Sequence, residues 1–169
     1  ALYIKQDSKT GKQKDNETLF GGNKVRKLEF LLADAIVRRA KTIMTFGCAG
    51  SNHVLATCTY AQEFGFNTIA LLMPQPNKYA VQRNILLDAQ TNAQLLHYPN
   101  KTLRTFGAHH AFIWHKIAHG DFPYVIPTGG SCPMGILGFV NAAYELSQQV
   151  KNKEMPNPDC IVVPSGSYG

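Results

Sequence analysis

The chain has 169 residues, 44% of them hydrophobic and 17% charged, with a formal net charge of +6. That length suits one domain or two small lobes with a core of their own, and the composition excludes disordered, collagen-like and coiled-coil classes. No apolar run approaches the roughly 18 residues that cross a bilayer.

The chain opens on Ala1-Leu2-Tyr3-Ile4-Lys5, which has the pattern of a strand and not of a signal peptide. A polar stretch follows. The first 27 residues set Lys5, Lys9, Lys12, Lys14, Lys24, Arg26 and Lys27 against Asp7, Asp15 and Glu17, a local excess of +4. Aromatics are not interleaved with these charges, so a solvated loop is favoured over a nucleic-acid face. Next comes a helix over 24–39 with Asn23 as N-cap. Strands at 42–46, 68–73, 94–97 and 124–127 then alternate with helices at 51–64, 79–89, 103–119 and 134–150. Residues 151–158 are a polar connection, and 160–163 read as a last strand. The βαβ alternation predicts an α/β fold, a largely parallel sheet between helical layers. The final residues, a strand entering a glycine loop, have the pattern of an internal point of a longer fold.

Cys48, Cys58, Cys132 and Cys160 form no CxxC pair and have no zinc-spaced histidines, so reduced, mostly buried thiols of a cytoplasmic protein are expected. His115 and His119 stand four apart on one helix without the acidic residue of a zincin, and no metal site is expected.

Three glycine loops follow strands: residues 47–52, 128–131 and 165–169. Each brings backbone N–H groups to a place where an anion is favoured, and together they point to an anionic ligand. The most informative segment is Phe20-Gly21-Gly22-Asn23-Lys24-Val25-Arg26-Lys27-Leu28-Glu29. At about 100° per residue Lys24 falls on the stripe of Leu28, Leu31, Leu32 and Ala35, with Arg26 opposite. A lysine there either snorkels to the edge or points into a cavity. A desolvated lysine has a lowered pKa and can act as a nucleophilic amine.

The run from Gly21 to Glu29 resembles the lysine motif of the D-cysteine desulfhydrase and 1-aminocyclopropane-1-carboxylate deaminase family. These are pyridoxal-phosphate enzymes of the tryptophan-synthase-β-like fold. Gly50-Ser51-Asn52-His53 resembles the family's Ser-Asn-[His/Gln] element. Residues 125–131 with Gly135 and Gly138 resemble its Pro-x-Gly-Gly-Ser segment, and Ser165-Gly166-Ser167-Tyr168-Gly169 resembles the start of its phosphate loop. The pattern differs at Ser8 and Gly50, and at Val54-Leu55 where many members carry arginine.

The resemblance implies that Lys24 is the Schiff-base lysine and Ser51 a second catalytic residue. It implies that Asn52 and the loop Ser165, Gly166, Ser167, Tyr168 and Gly169 hold pyridoxal 5′-phosphate, and that Ser51, Asn52, His53 and Gly130 face the substrate. It further implies a homodimer acting on a small amino acid, with no nucleic-acid or membrane partner. Lys24, the Ser51–Asn52 helix start and the 165–169 loop are expected to converge on a cleft between two lobes, 27–135 and 1–26 with 136–169. Histidine at 53 favours elimination from D-cysteine over opening of the cyclopropane. Two other readings stay open: a nucleotide-binding module using Gly47-x-x-Gly50, which lacks G-x-G-x-x-G spacing, and a non-catalytic homologue.

Overall fold

The computed structural model describes residues 2–14 and 17–163. A short antiparallel ribbon, β1 (Gln13–Lys14) and β2 (Glu17–Thr18), precedes α1 (Asn23–Val37). Then come β3 (Thr42–Cys48), α2 (Asn52–Glu63), β4 (Asn67–Met73), α3 (Tyr79–Ala89), β5 (Gln94–His97), α4 (Lys101–His119), β6 (Tyr124–Ile126) and α5 (Pro133–Lys151). The expected α/β architecture is present, with the helices within two residues of their expected bounds.

The four central strands form one parallel sheet in the order β5-β4-β3-β6. β3 pairs with β4 from Thr42–Asn67 through Cys48–Met73, and with β6 from Ile43–Tyr124 through Thr45–Ile126. β3 and β4 are almost continuously buried because helices cover both faces. The chain steps outward from β3 to β5, then returns to the other side of β3. A right-handed crossover therefore places the returning helix on the opposite face. On one face Val54 and Cys58 of α2 pack on Ala70 and Leu72. There too, Leu28, Leu31 and Ala35 of α1 meet Ile43 and Ile126. On the other, Ala108, Ala111 and Phe112 of α4 pack on Met44, Ile69 and Leu71.

α5 lies over α1. The contact is close at Gly138, where a methyl group would stand 2.0 Å from the Arg26 carbonyl oxygen. This explains Arg26. Its side of α1, opposite the apolar stripe, is covered and not solvated. The guanidinium donates to Asp7 (2.8 and 3.1 Å) and to Glu145 of α5 (2.8 Å).

Residues 2–5 and 160–163, expected as strands, are not strands. A strand needs a neighbour for its N–H and C=O groups, and no described strand lies beside either segment. Lys5 instead donates to Glu145 (2.6 Å) and Gln149 (3.0 Å). The thiols are all free, but only Cys58 is buried; Cys48 and Cys132 are half-buried and Cys160 is exposed. Among the described residues no helix is long and apolar enough to cross a membrane, and no group of three metal-ligating side chains occurs.

Candidate active site

The strand order fixes where a ligand can sit. The strand order reverses at β3, with β4 on one side and β6, reached by the long return, on the other, and the loops after β3 and β6 meet beyond their carboxyl ends. The loop after β3 leads to Ser51, and the loop after β6 is a tight turn, Thr128–Gly130. α1 arrives at the same place. Gly22, not Asn23, is its N-cap, at φ 118°, a conformation open to glycine and unfavourable for asparagine. The Gly22 N–H donates to the Asp7 carbonyl (2.8 Å). Asn23 becomes the first helical residue, and the next, Lys24, is half-buried.

A cleft of about 410 Å³ lies here, lined by Gly21, Gly22 and Lys24, by Asn52 and Leu55 of α2, and by Arg83 and Asn84 of α3. Burial holds the Lys24 amine below its ordinary pKa. The neutral, nucleophilic form is therefore reached at lower pH than for a surface lysine. Ser51 caps α2, its Oγ accepting from the Val54 N–H at 3.4 Å. Its hydroxyl thus stands at the positive end of that helix.

Behind the cleft lie two groups of different standing in the sequence. His53 is buried; its Nε2 is 3.5 Å from Thr45 Oγ1, and Nδ1 has no hydrogen-bond partner among the described residues. Burial, then the charges of Lys24 and Lys27, push its pKa down to about 4. The ring is neutral at physiological pH. Lys27 is the residue the sequence reading missed. It is 0% exposed, and its Nζ donates to the Gly129 carbonyl (3.1 Å) and Ser131 Oγ (3.2 Å). Burial lowers its pKa, and the charge on Lys24 lowers it further. The signal was present: Lys27 is three residues after Lys24 and four before Leu31, on the same stripe. A methyl group on Gly130 would lie 3.3 Å from His53 Cε1 and 3.4 Å from Lys27 Cδ, so Gly130 covers both.

Tyr60 ties the lysine loop to α2. Its hydroxyl accepts from the Lys12 N–H (3.1 Å) and donates to the Phe20 carbonyl (2.8 Å). Lys24 and Asn52 thus share one cleft. Ser51 caps the helix beside it, and His53 and Gly130 lie at the switch point. Ser165 to Gly169 fall outside the described residues.

The family described as pyridoxal-phosphate dependent enzyme matches residues 5–169. The chain belongs to that family. It is 37% identical over 99% of its length to a Pyrococcus furiosus protein provisionally named 1-aminocyclopropane-1-carboxylate deaminase, covering 48% of that relative. It is equally 37% identical to the D-cysteine desulfhydrase of Serratia proteamaculans, covering 99% of this chain and 50% of that one. The chain spans about half the length of the curated relatives it matches. The crystal structure of an ACC deaminase homologue superposes with a TM-score of 0.66 at 34% identity, over 76% of this chain and 39% of that one. Apo diaminopropionate ammonia lyase of Escherichia coli, at 16% identity and a TM-score of 0.55, shares the fold.

The residues present fit the family's cofactor. The cleft is within the usual size for a small-molecule site. It holds a desolvated amine for the aldehyde, and the Asn52 amide can donate to a ring oxygen. Lys24 and Lys27 give the crevice a positive potential suited to a phosphate or carboxylate.

Proposed function

We propose that the chain forms part of a pyridoxal-phosphate-dependent enzyme that eliminates sulfide and ammonia from D-cysteine, leaving pyruvate. The observation that carries this reading is the half-buried Lys24, its amine desolvated in a cleft shared with Asn52. When bound, the cofactor supplies an aldehyde and an electron sink. The chain's own residues do the rest. Lys24, its pKa lowered by burial, takes the proton from the substrate α-carbon. The Ser51 hydroxyl and the N–H groups of the α2 start hold the substrate carboxylate. Asn52 donates to the cofactor's ring oxygen. Gly130 faces the substrate. The loop from Ser165 to Gly169 holds the phosphate.

His53 selects the branch. By the family resemblance, histidine at this position goes with β-elimination and glutamine with ring opening, and in β-elimination thiolate leaves once the α-proton is gone. A second reading, 1-aminocyclopropane-1-carboxylate deaminase giving 2-oxobutyrate, is favoured by the name of the Pyrococcus relative. That substrate has no α-proton, so its ring opening needs a nucleophile or acid set against the ring. The enzyme on this reading is a cytoplasmic homodimer of two-lobed subunits. Residues 27–135 form one lobe, and 1–26 with 136–169 contribute to the other; the Lys5–Glu145 and Asp7–Arg26–Glu145 contacts support the grouping of the chain ends.

The test is kcat/KM of the full-length protein for D-cysteine against the cyclopropane substrate. Sulfide and pyruvate release should win, and Lys24→Ala should abolish it. Faster ring opening selects the second reading; turnover of neither substrate by holoenzyme overturns both.

A further inference from the structure

We propose that Asn84 of α3 is a positioning residue that fixes the polarity of the Asn52 amide. The inference rests on the reading of Asn52 as donor to the ring oxygen of pyridoxal phosphate. A backbone carbonyl can only accept, so the Asn84 atom 2.9 Å from the Gly50 carbonyl oxygen is its amide nitrogen. The same nitrogen gives its second hydrogen to Asn52 Oδ1 at 2.8 Å. An amide nitrogen has two hydrogens, and both are committed. Asn52 therefore turns its oxygen to Asn84. Its own nitrogen, with no acceptor among the described residues, is left to the cleft that both residues line.

Asn84 is held in this role. It is 5% exposed, so it cannot turn to water without moving α3. The Gly50 loop abuts the same helix: a methyl group on Gly50 would lie 2.7 Å from Val81 Cγ2. An Asn52 amide turned by half a revolution would set two donors against each other at Asn84, and two acceptors against each other at the cofactor oxygen. The geometry thus selects a ligand atom that accepts, such as a phenolate oxygen, through a residue of the neighbouring helix.

The test is the affinity of the full-length protein for pyridoxal 5′-phosphate, read by absorbance titration. The set comprises wild type, Asn52→Ala, Asn84→Asp, Asn84→Ala, and each Asn84 change combined with Asn52→Ala. Asn52→Ala and Asn84→Asp should each weaken binding by about tenfold, the worth of one hydrogen bond to a charged atom, and Asn84→Ala by less. With Asn52→Ala already present, either Asn84 change should alter affinity by less than about twofold. Losses that multiply in the double variant would show that Asn84 acts by holding the loop alone, which overturns the proposal. Wild-type affinity in both Asn84 variants overturns it too. Unchanged affinity in Asn52→Ala overturns the reading of Asn52 and the proposal with it. Circular dichroism checks folding, and if Asn84→Asp does not fold, Asn84→Ala carries the same cycle.

Discussion

α1 and α4 are both amphipathic helices in the sequence, and they end in opposite conditions. α1 buries cations: Arg26 and Lys27 are 8% and 0% exposed. α4 exposes apolar groups: Phe106 and Ile117 are each 69% exposed, with Ile113 and Trp114 beside them. The cause is layering. α1 is covered on one side by the sheet and α2 and on the other by α5, so its polar residues had to find partners inside. Among the described residues α4 is the only helix on its face of the sheet, and none of them covers its outer side. Large exposed apolar patches mark contact surfaces. Buried charge and exposed oil are the same departure from patterning seen from two sides, and each marks a place where folding alone does not explain the residue.

The largest effect should come from prising α5 off α1. Gly138→Val puts side-chain atoms against the Arg26 carbonyl, and urea unfolding should show a loss of more than about 3 kcal/mol. A loss under about 1 kcal/mol would mean that α5 is not what encloses the α1 cations. Next, Arg26→Met leaves Asp7 without its cation and Glu145 with Lys5 alone. Both acids are partly exposed and can rehydrate, so the loss should be about 2 kcal/mol, below that of a fully enclosed pair. Added salt should narrow the gap between wild type and variant; a salt-independent gap would locate the effect in packing.

Asp88 of α3 sharpens the comparison by showing a buried charge without a cation. Neither carboxylate oxygen accepts from an N–H or O–H among the described residues. Burial lifts its pKa from 3.8 to about 7, with a slight opposing pull from the Cys58 thiol. The folded state therefore binds this proton more tightly than the unfolded chain. The stabilisation is fully present below pH 3.8 and is lost as pH rises through 7. Unfolding free energy should fall steadily between pH 4 and 8, and Asp88→Asn should flatten that decline. An unchanged slope would clear Asp88 of it. The smallest effect belongs to α4. Phe106→Gln, Ile113→Gln and Ile117→Gln should each shift stability by less than about 0.5 kcal/mol, because these side chains already face water. A larger loss in any of them would show a contact on this face.

The sequence made the alternation of strands and helices legible, because period-2 and period-3.6 patterns switch cleanly between residues 42 and 150. It also made Lys24 legible, through two glycines and a lysine on an apolar stripe. Lys27 escaped because one displaced lysine already accounted for the stripe. Arg26 escaped because helical periodicity shows which side faces the sheet, not whether a later helix covers the other. Asn84 lies 32 residues from Asn52, and no local pattern announces that contact. The segments 2–5 and 160–163 have strand propensity, but pairing is a property of neighbours and not of the segment.

Tyr60 has a mechanical consequence. Its single hydroxyl grips the chain at Lys12 and at Phe20, on either side of the β1–β2 ribbon, from a helix whose other end carries Ser51 and Asn52. The lysine loop and α2 are therefore joined through one oxygen atom, and a pull on either end of the ribbon is passed to the helix that carries Asn52.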